Sequence, residues 1–323
     1  MKDIVLRISD LSTYFYVSGG IVKAVDGIDL TIRENEIVTV VGESGSGKSV
    51  TAMSVMRLIK EPGKIIKGEI LYKGMDLLKL SRKDMESIRG NQISMIFQNP
   101  YTSLHPYFKI GRQTTEFLSH RLMMGKNEAE EKTLEMFKQL GIDDPISVLN
   151  SYSFEISAGI CQRVMLAIAL LSKPKLLIAD EPTTNLDSLT QIQILELIKL
   201  MREELKMSVL FITHDFGVVS KMADNVVVMY AGSQVESGPR EEVLHNPKHP
   251  YSIGLIGSVP TTGKVAKRLF QIPGEVPDVM RLPPGCTFKN RCENAKEICN
   301  KKPKIFITNT DHPVRCWLFE NKS

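Results

Sequence analysis

Gly42-Glu43-Ser44-Gly45-Ser46-Gly47-Lys48-Ser49 follows a short apolar run, Ile37-Val38-Thr39-Val40-Val41, and precedes a helix-like segment from Ser49 to Leu58. Strand, glycine-rich turn and helix in that order form the setting of a phosphate-binding loop. The glycines let backbone N–H groups turn inward on an anion, and the new helix adds its positive end. Lys48 is placed to reach the terminal phosphates and the Ser49 hydroxyl to bind Mg2+, with Val50 continuing the first helical turn. The loop predicts binding of a nucleoside triphosphate.

Upstream of it, residues 4 to 41 read as β-structure, with Ile28, Leu30 and Ile32 alternating with polar residues. Tyr14, Phe15 and Tyr16 precede the Gly19-Gly20 turn and offer a face on which an adenine ring could stack, Phe15 being the favoured candidate. Downstream, Gly68 to Tyr72 predicts a strand and hairpin, Ser81 to Arg89 a helix with Ser81 as N-cap, and Ile93 to Phe97 a strand ending at Gln98. Residues 109 to 171 lose the β character. Leu134, Phe137 and Leu140 are expected on one helical face, and Ala158 to Leu171 is helix-like.

Leu176-Leu177-Ile178-Ala179 is an apolar run of the kind buried on both faces in parallel sheets, so Asp180 and Glu181 emerge at its carboxyl end, where such sheets bind ligands. Ser188 to Lys206 predicts a helix with Ile194, Leu197, Ile198, Met201 and Leu205 at core spacing. Val209 to Ile212 is a further strand, ending at Thr213-His214-Asp215, and strands at Asn225–Tyr230 and Ser233–Glu236 are expected to close the core. From Gly238 the composition shifts, with prolines at 239, 247, 250, 260, 273, 277, 283 and 284.

At 323 residues the chain has room for about two domains, and 42% apolar with 24% charged residues are ordinary soluble-protein values. The net charge of +4 is mild and the basic residues are scattered, so no nucleic-acid partner is expected. The start, with an acid at position 3 and no long apolar stretch, reads as lacking a signal peptide. No run approaches the length of a membrane span, so a membrane role has to come through partners. Of five cysteines, Cys161 stands alone while Cys286, Cys292, Cys299 and Cys316 crowd into the last 38 residues. Without an export signal, that cluster reads as metal ligation before disulfides.

The phosphate loop, Gln98, Ser157-Ala158-Gly159, Asp180-Glu181 and His214 fall in one order along the chain. In this order the chain strongly resembles the ATP-binding subunits of ABC transporters over essentially its whole length. The fold so implied is α/β, a P-loop NTPase core over residues 1–237 with a β-rich part and a helical subdomain at about 98–170, plus a loop-rich extension over 238–323. Asp180 supplies a hard oxygen ligand for Mg2+, and Glu181 can polarise the attacking water as general base. The resemblance adds Gln98 as a further Mg2+ or water ligand whose loop couples to membrane subunits, His214 as a hydrogen-bonding partner of the γ-phosphate, and Asp187 as the acid of a loop reaching a partner subunit. Ser157 and Gly159 would contact the γ-phosphate held by that partner, nucleotide being sandwiched head to tail between two subunits. Tyr101 to Ile110 is the expected membrane-subunit contact.

Where relatives usually read Leu-Ser-Gly-Gly-Met-Arg-Gln-Arg, residues 156 to 163 are Ile-Ser-Ala-Gly-Ile-Cys-Gln-Arg. Ala158 adds a methyl at a close-approach position and Cys161 replaces a cation, which implies a heterodimer with one stronger and one weaker site, the alternative being a weakly hydrolysing subunit that completes a partner's ATP site. His245-Asn246-Pro247-Lys248-His249-Pro250-Tyr251, Ile272 to Pro277 and Pro283-Pro284-Gly285-Cys286 resemble the carboxyl-terminal extension of oligopeptide and dipeptide importer ATPases, with nickel importers as near relatives. That branch implies two membrane permease subunits, a peptide-binding protein outside the cell and a peripheral place on the cytoplasmic face of the membrane. The cysteine spacing C-x5-C-x6-C-x16-C leaves zinc and iron–sulfur open. The resemblance tips the choice to a [4Fe–4S] cluster on Cys286, Cys292, Cys299 and Cys316.

Overall fold

The computed structural model describes residues 2–258, 271–308 and 312–320; Pro260 lies outside them. In chain order the strands and helices are β1 (Ile4–Val17), β2 (Gly20–Arg33), β3 (Ile37–Val41), α1 (Lys48–Val55), β4 (Gly63–Tyr72), β5 (Met75–Asp76), α2 (Arg82–Ile88), β6 (Ile93–Ile96) and α3 (Pro100–Ser103). There follow α4 (Ile110–Leu122), α5 (Lys126–Gln139), α6 (Pro145–Asn150), α7 (Ala158–Leu170), β7 (Leu176–Asp180), α8 (Ser188–Leu205) and β8 (Ser208–Thr213). The chain ends with α9 (Phe216–Met222), β9 (Asn225–Tyr230), β10 (Ser233–Pro239), α10 (Arg240–His245), α11 (Pro250–Gly257), β11 (Phe306–Thr308) and β12 (His312–Val314). They fall into two compact units, one of Met1–Val5, Arg33–Asn35 and Leu80–Leu210, the other of Leu6–Ile32, Glu36–Lys79 and Phe211–Ser323.

The first unit is mostly helical. Its α2 is capped as the sequence predicts, the Asp84 N–H donating to Ser81 Oγ at 3.1 Å. On α5 the buried stripe is Ala129, Thr133, Met136 and Phe137, with Leu140 beyond the helix end. Those positions follow the helical period, whereas Leu134 lies at the edge of the stripe and is only half-buried. The same holds on α8, where Ile194, Leu195, Ile198 and Met201 are buried and Leu197 and Leu205 flank them half-exposed. Cys161 on α7 is fully buried and donates through Sγ to Ser153 O at 3.2 Å, and burial pushes its thiol up to about 11. The parallel pair β6 and β7 supplies a short sheet, and every residue of β7 is buried. That is the environment its unbroken apolar run requires.

The second unit holds the phosphate loop and the extension. A four-stranded sheet runs in the order β2-β1-β4-β5. In the other sheet β3 pairs in parallel with β9, and β10, β12 and β11 continue it antiparallel. The sequence expects β9 and β10 to close the core, but β12 lies beyond β10, pairing Glu236 with Val314. Three-residue strands carry too little alternation to be read from sequence. The proline-rich extension is also packed into the core: Val41, Val226, Val228 and Tyr230 share one cluster with Val243, Tyr251 and Phe288. Among the described residues no helix is long and apolar enough to cross a membrane.

Candidate functional site

The phosphate loop begins where β3 ends. Gly47, the residue before α1, has φ of 100°, and a Cβ there would stand 2.1 Å from Ala24 O, so only glycine fits. A Cβ on Gly42 would likewise meet Met229 O at 2.1 Å. The loop is thus pressed against backbone on one side, while Ser44 and Gly45 are exposed on the other. The Lys48 ammonium is buried and donates to Gly42 O at 2.8 Å and Glu43 O at 2.9 Å. Ser46 Oγ is buried with no hydrogen-bond partner among the described residues. An unpaired hydroxyl in a loop whose lysine curls back on its own carbonyls is a cradle suited to phosphate oxygens. Ser49 and Val50 lie half-buried in the first turn of α1.

Glu43 is committed elsewhere. Its N–H donates to Tyr251 Oη at 2.9 Å, and its carboxylate takes a two-pronged contact from Arg291, at 2.8 Å and 3.1 Å. Both partners come from the extension, 208 and 248 residues away, and nothing in the sequence signals them. Phe15 lies half-buried on β1 opposite Gly63 of β4, and a Cβ on Gly63 would stand 2.6 Å from its ring. That ring therefore packs across its own sheet, the ordinary use of a strand aromatic. His214 is exposed in the turn between β8 and α9, a turn held by the Asp215 N–H on Thr213 Oγ1 at 3.0 Å and the Gly217 N–H on Asp215 Oδ1 at 2.7 Å.

In the first unit, Asp180 ends β7 and is buried, and Glu181 follows with φ of 46°. A positive φ on a non-glycine residue is uncommon and costs of order 1–3 kcal/mol, strain that clusters at working sites. Glu181 Oε2 accepts from Gln98 Nε2 at 3.1 Å and Thr184 Oγ1 at 2.9 Å. Two residues 83 apart in sequence are thereby joined, and with Thr184 the Gln98 amide fixes the direction of the carboxylate. Ser157 caps α7, accepting from the Ile160 N–H at 3.3 Å, and Asp187 caps α8, accepting from the N–H groups of Leu189 at 3.1 Å and Thr190 at 3.0 Å. The Thr190 hydroxyl also donates to Asp187 at 2.6 Å, and with these bonds it holds that carboxyl below its ordinary pKa. Gly159 lies against Thr190, since a Cβ there would come within 2.9 Å of its methyl. The Ser157–Gly159 turn and the Asp187 cap are thus neighbours.

Cys286, Cys292, Cys299 and Cys316 are free thiols lining one pocket together with Phe288, Pro250 and Trp317. Burial raises the thiols of Cys286 and Cys292 and pushes that of Cys316 up to about 11. Among the described residues, however, no group of three or more His, Cys, Asp or Glu is set closely enough to hold a metal ion. The expected four-cysteine centre thus has the right donor atoms around one space, without the drawn-in geometry of a ligand set.

Comparison with known proteins gives the same outline. Residues 25–184 match the family described as ABC transporter, and residues 235–299 match that described as oligopeptide/dipeptide transporter, C-terminal region. The first span takes in the phosphate loop and Glu181, the second Tyr251 and Arg291. Oligopeptide transport ATP-binding protein OppD of Bacillus subtilis (strain 168) is 44% identical over 316 residues, 97% of this chain and 88% of that one. Dipeptide transport ATP-binding protein DppD of the same organism is 43% identical over 321 residues, 99% of this chain and 96% of that one. Among solved structures, the dimeric post-hydrolysis state of the ATP-binding cassette MJ0796 bound to ADP and Pi superposes with a TM-score of 0.66 at 26% identity, over 73% of this chain and 98% of that one. With relatives this similar along nearly its entire length, the chain belongs to the ABC transporter ATP-binding proteins, in the branch that carries the oligopeptide/dipeptide transporter carboxyl-terminal region.

Proposed function

We propose that this chain is the ATP-hydrolysing subunit of an importer for oligopeptides or dipeptides. The observation that carries this reading is the likeness to peptide-transport ATP-binding proteins over 97–99% of the chain, extension included. An ATPase without a membrane-crossing helix among its described residues acts on transport through other subunits. We take these to be two membrane permeases and an external peptide-binding protein, with the chain peripheral on the cytoplasmic face and Tyr101 to Ile110 as the docking stretch. Tyr107, 81% exposed, suits that role.

In this reading Lys48 releases the Gly42 and Glu43 carbonyls for the β,γ-phosphates, and Ser46 Oγ donates to the chain of phosphate oxygens. Phe15 would flank the adenine by its half-exposed edge. Ser49, Asp180 and Gln98 are the residues that would hold Mg2+, which when bound neutralises charge developing on the transferred phosphoryl group. Glu181, oriented by Gln98 and Thr184, takes the proton of the attacking water, and His214 steadies the γ-phosphate. Ser157, Gly159 and Asp187 serve the nucleotide of a second ATPase subunit. Because Ala158 departs from the usual loop, we take that subunit to be a different chain and the two sites to be unequal, while the buried Cys161 does not face the partner's nucleotide.

A general base of this kind contributes about 10²–10⁴-fold. Glu181→Gln in the purified pair, assembled with its permeases, should cut ATP turnover by at least a hundredfold while nucleotide still binds. Turnover near that of the parent would mean that Glu181 is not the base of the stronger site. We further assign the four cysteines to a thiolate-held [4Fe–4S] cluster, supported by their shared pocket. Anaerobically purified protein should be brown, with iron and sulfide in equal amounts. A colourless protein holding zinc would overturn the cluster.

A further inference from the structure

Glu43 places a negative charge inside a loop that has to receive a triphosphate. Its only cation among the ion pairs described is Arg291, whose side chain is 6% exposed. Arg291 is itself fixed from three sides. Its Nε donates to Pro273 O at 3.0 Å, its Nη1 lies 3.4 Å from Tyr230 Oη, and its guanidinium carbon sits 5.8 Å from the Tyr230 ring centre and 5.9 Å from that of Phe288. Tyr251, which holds the Glu43 N–H, packs at a tilt within the same aromatic group, its ring centre 4.6 Å from that of Tyr230 and 5.4 Å from that of Phe288. The planar fork matches the carboxylate in both position and charge, which a lysine could not do.

We infer that Arg291 is a positioning residue for ATP: it cancels the Glu43 charge and, with Tyr251, fixes the first turn of the phosphate loop, so that the loop is receptive to a polyanion. This rests on the reading of Gly42–Ser49 as the ATP site. Without the guanidinium, the Glu43 carboxylate stands unpaired next to the entering triphosphate, and affinity falls by repulsion and by loosening of the turn. Lys302, which pairs with Asp26 at 2.6 Å, ties the extension to the same unit without touching the loop and serves as the control.

The test is titration of the full-length chain with a fluorescent ATP analogue at low and high salt, alongside thermal unfolding. Arg291→Gln should weaken binding at least tenfold, and the deficit relative to the parent should narrow as salt screens the repulsion. Arg291→Lys should fall between the two. Glu43→Gln combined with Arg291→Gln should return to within threefold of the parent, because no charge is then left uncancelled, and Lys302→Met should stay within twofold. Binding by Arg291→Gln within twofold of the parent would overturn the inference. So would a double variant as weak as Arg291→Gln, or an equal loss in Lys302→Met, which would mark a general loosening of the extension. Lys48→Ala distinguishes the other failure: if it binds nucleotide as tightly as the parent, the ATP site itself lies elsewhere.

Discussion

Glu236 is fully buried, and its carboxylate is the hub of the extension's packing. Oε1 accepts from the Lys248 N–H at 2.7 Å and pairs with His312 Nε2 at 2.6 Å, and Oε2 accepts from the His249 N–H at 2.9 Å. Replacing it by Gln keeps the shape but leaves only one oxygen. In the better of its two orientations that oxygen serves Lys248 and His312, and the amide then points a donor at the His249 N–H. One charge-assisted bond to a buried donor is lost, worth about 1.5–3 kcal/mol, and the His312 contact loses about 1 kcal/mol of charge assistance. The sum is on the order of 3 kcal/mol. At about 2 °C per kcal/mol for a chain of this size, the transition of the nucleotide-free protein should drop by about 6 °C in differential scanning calorimetry. Glu236→Leu, which strands all three partners, should cost more than Glu236→Gln. A Glu236→Gln protein melting within 1 °C of the parent, or above it, would refute the hub.

Acid should weaken the same region, and the sign follows from His249. Burial pulls its pKa down to about 4, and its Nδ1 accepts from the Tyr251 N–H at 3.1 Å, so the folded state keeps the ring neutral. The unfolded chain binds a proton below about 6.5, so stability is full above that pH and drains away towards pH 4, by on the order of 2 kcal/mol at pH 5. Glu236 adds a loss at still lower pH: burial disfavours its charge, but His312, the Ser252 hydroxyl and the two N–H groups hold its pKa below the usual value. Urea midpoints from pH 7 to 5 should show the decline, and His249→Asn, whose oxygen can replace Nδ1 as the cap, should flatten it. Gly47→Ala forces a Cβ against Ala24 O at a φ of 100° and should cost at least about 2 kcal/mol and abolish ATP binding, read by titration and thermal melt; normal affinity would show that the loop has room to move.

Local features were legible because their causes are local. The loop between β3 and α1, the Ser81 cap and the buried β7 follow from neighbours a few residues apart, as do the helical stripes apart from edge positions such as Leu134 and Leu197. Gln98 and Glu181 were each singled out, but their hydrogen bond is a product of the fold, because 83 residues separate them. Glu43 reads in the sequence as one more nucleotide-binding residue of the phosphate loop, and its partners Tyr251 and Arg291 give no sign there, since no periodicity or spacing links positions so far apart. That Gly63 lies opposite Phe15 is likewise a product of strand pairing, which the aromatic run Tyr14-Phe15-Tyr16 does not reveal by itself.

The Glu43–Arg291 pair also bears on how the chain could be divided. Every motif that marks it as an ATPase lies before residue 238, so a truncation there would pass any motif inspection. Such a fragment would nonetheless carry an acid at the mouth of its nucleotide site with the counter-ion cut away, and the Tyr251 brace gone with it. The last quarter of the polypeptide is in this sense part of the engine, and catalytic behaviour measured on a trimmed cassette would describe a different machine.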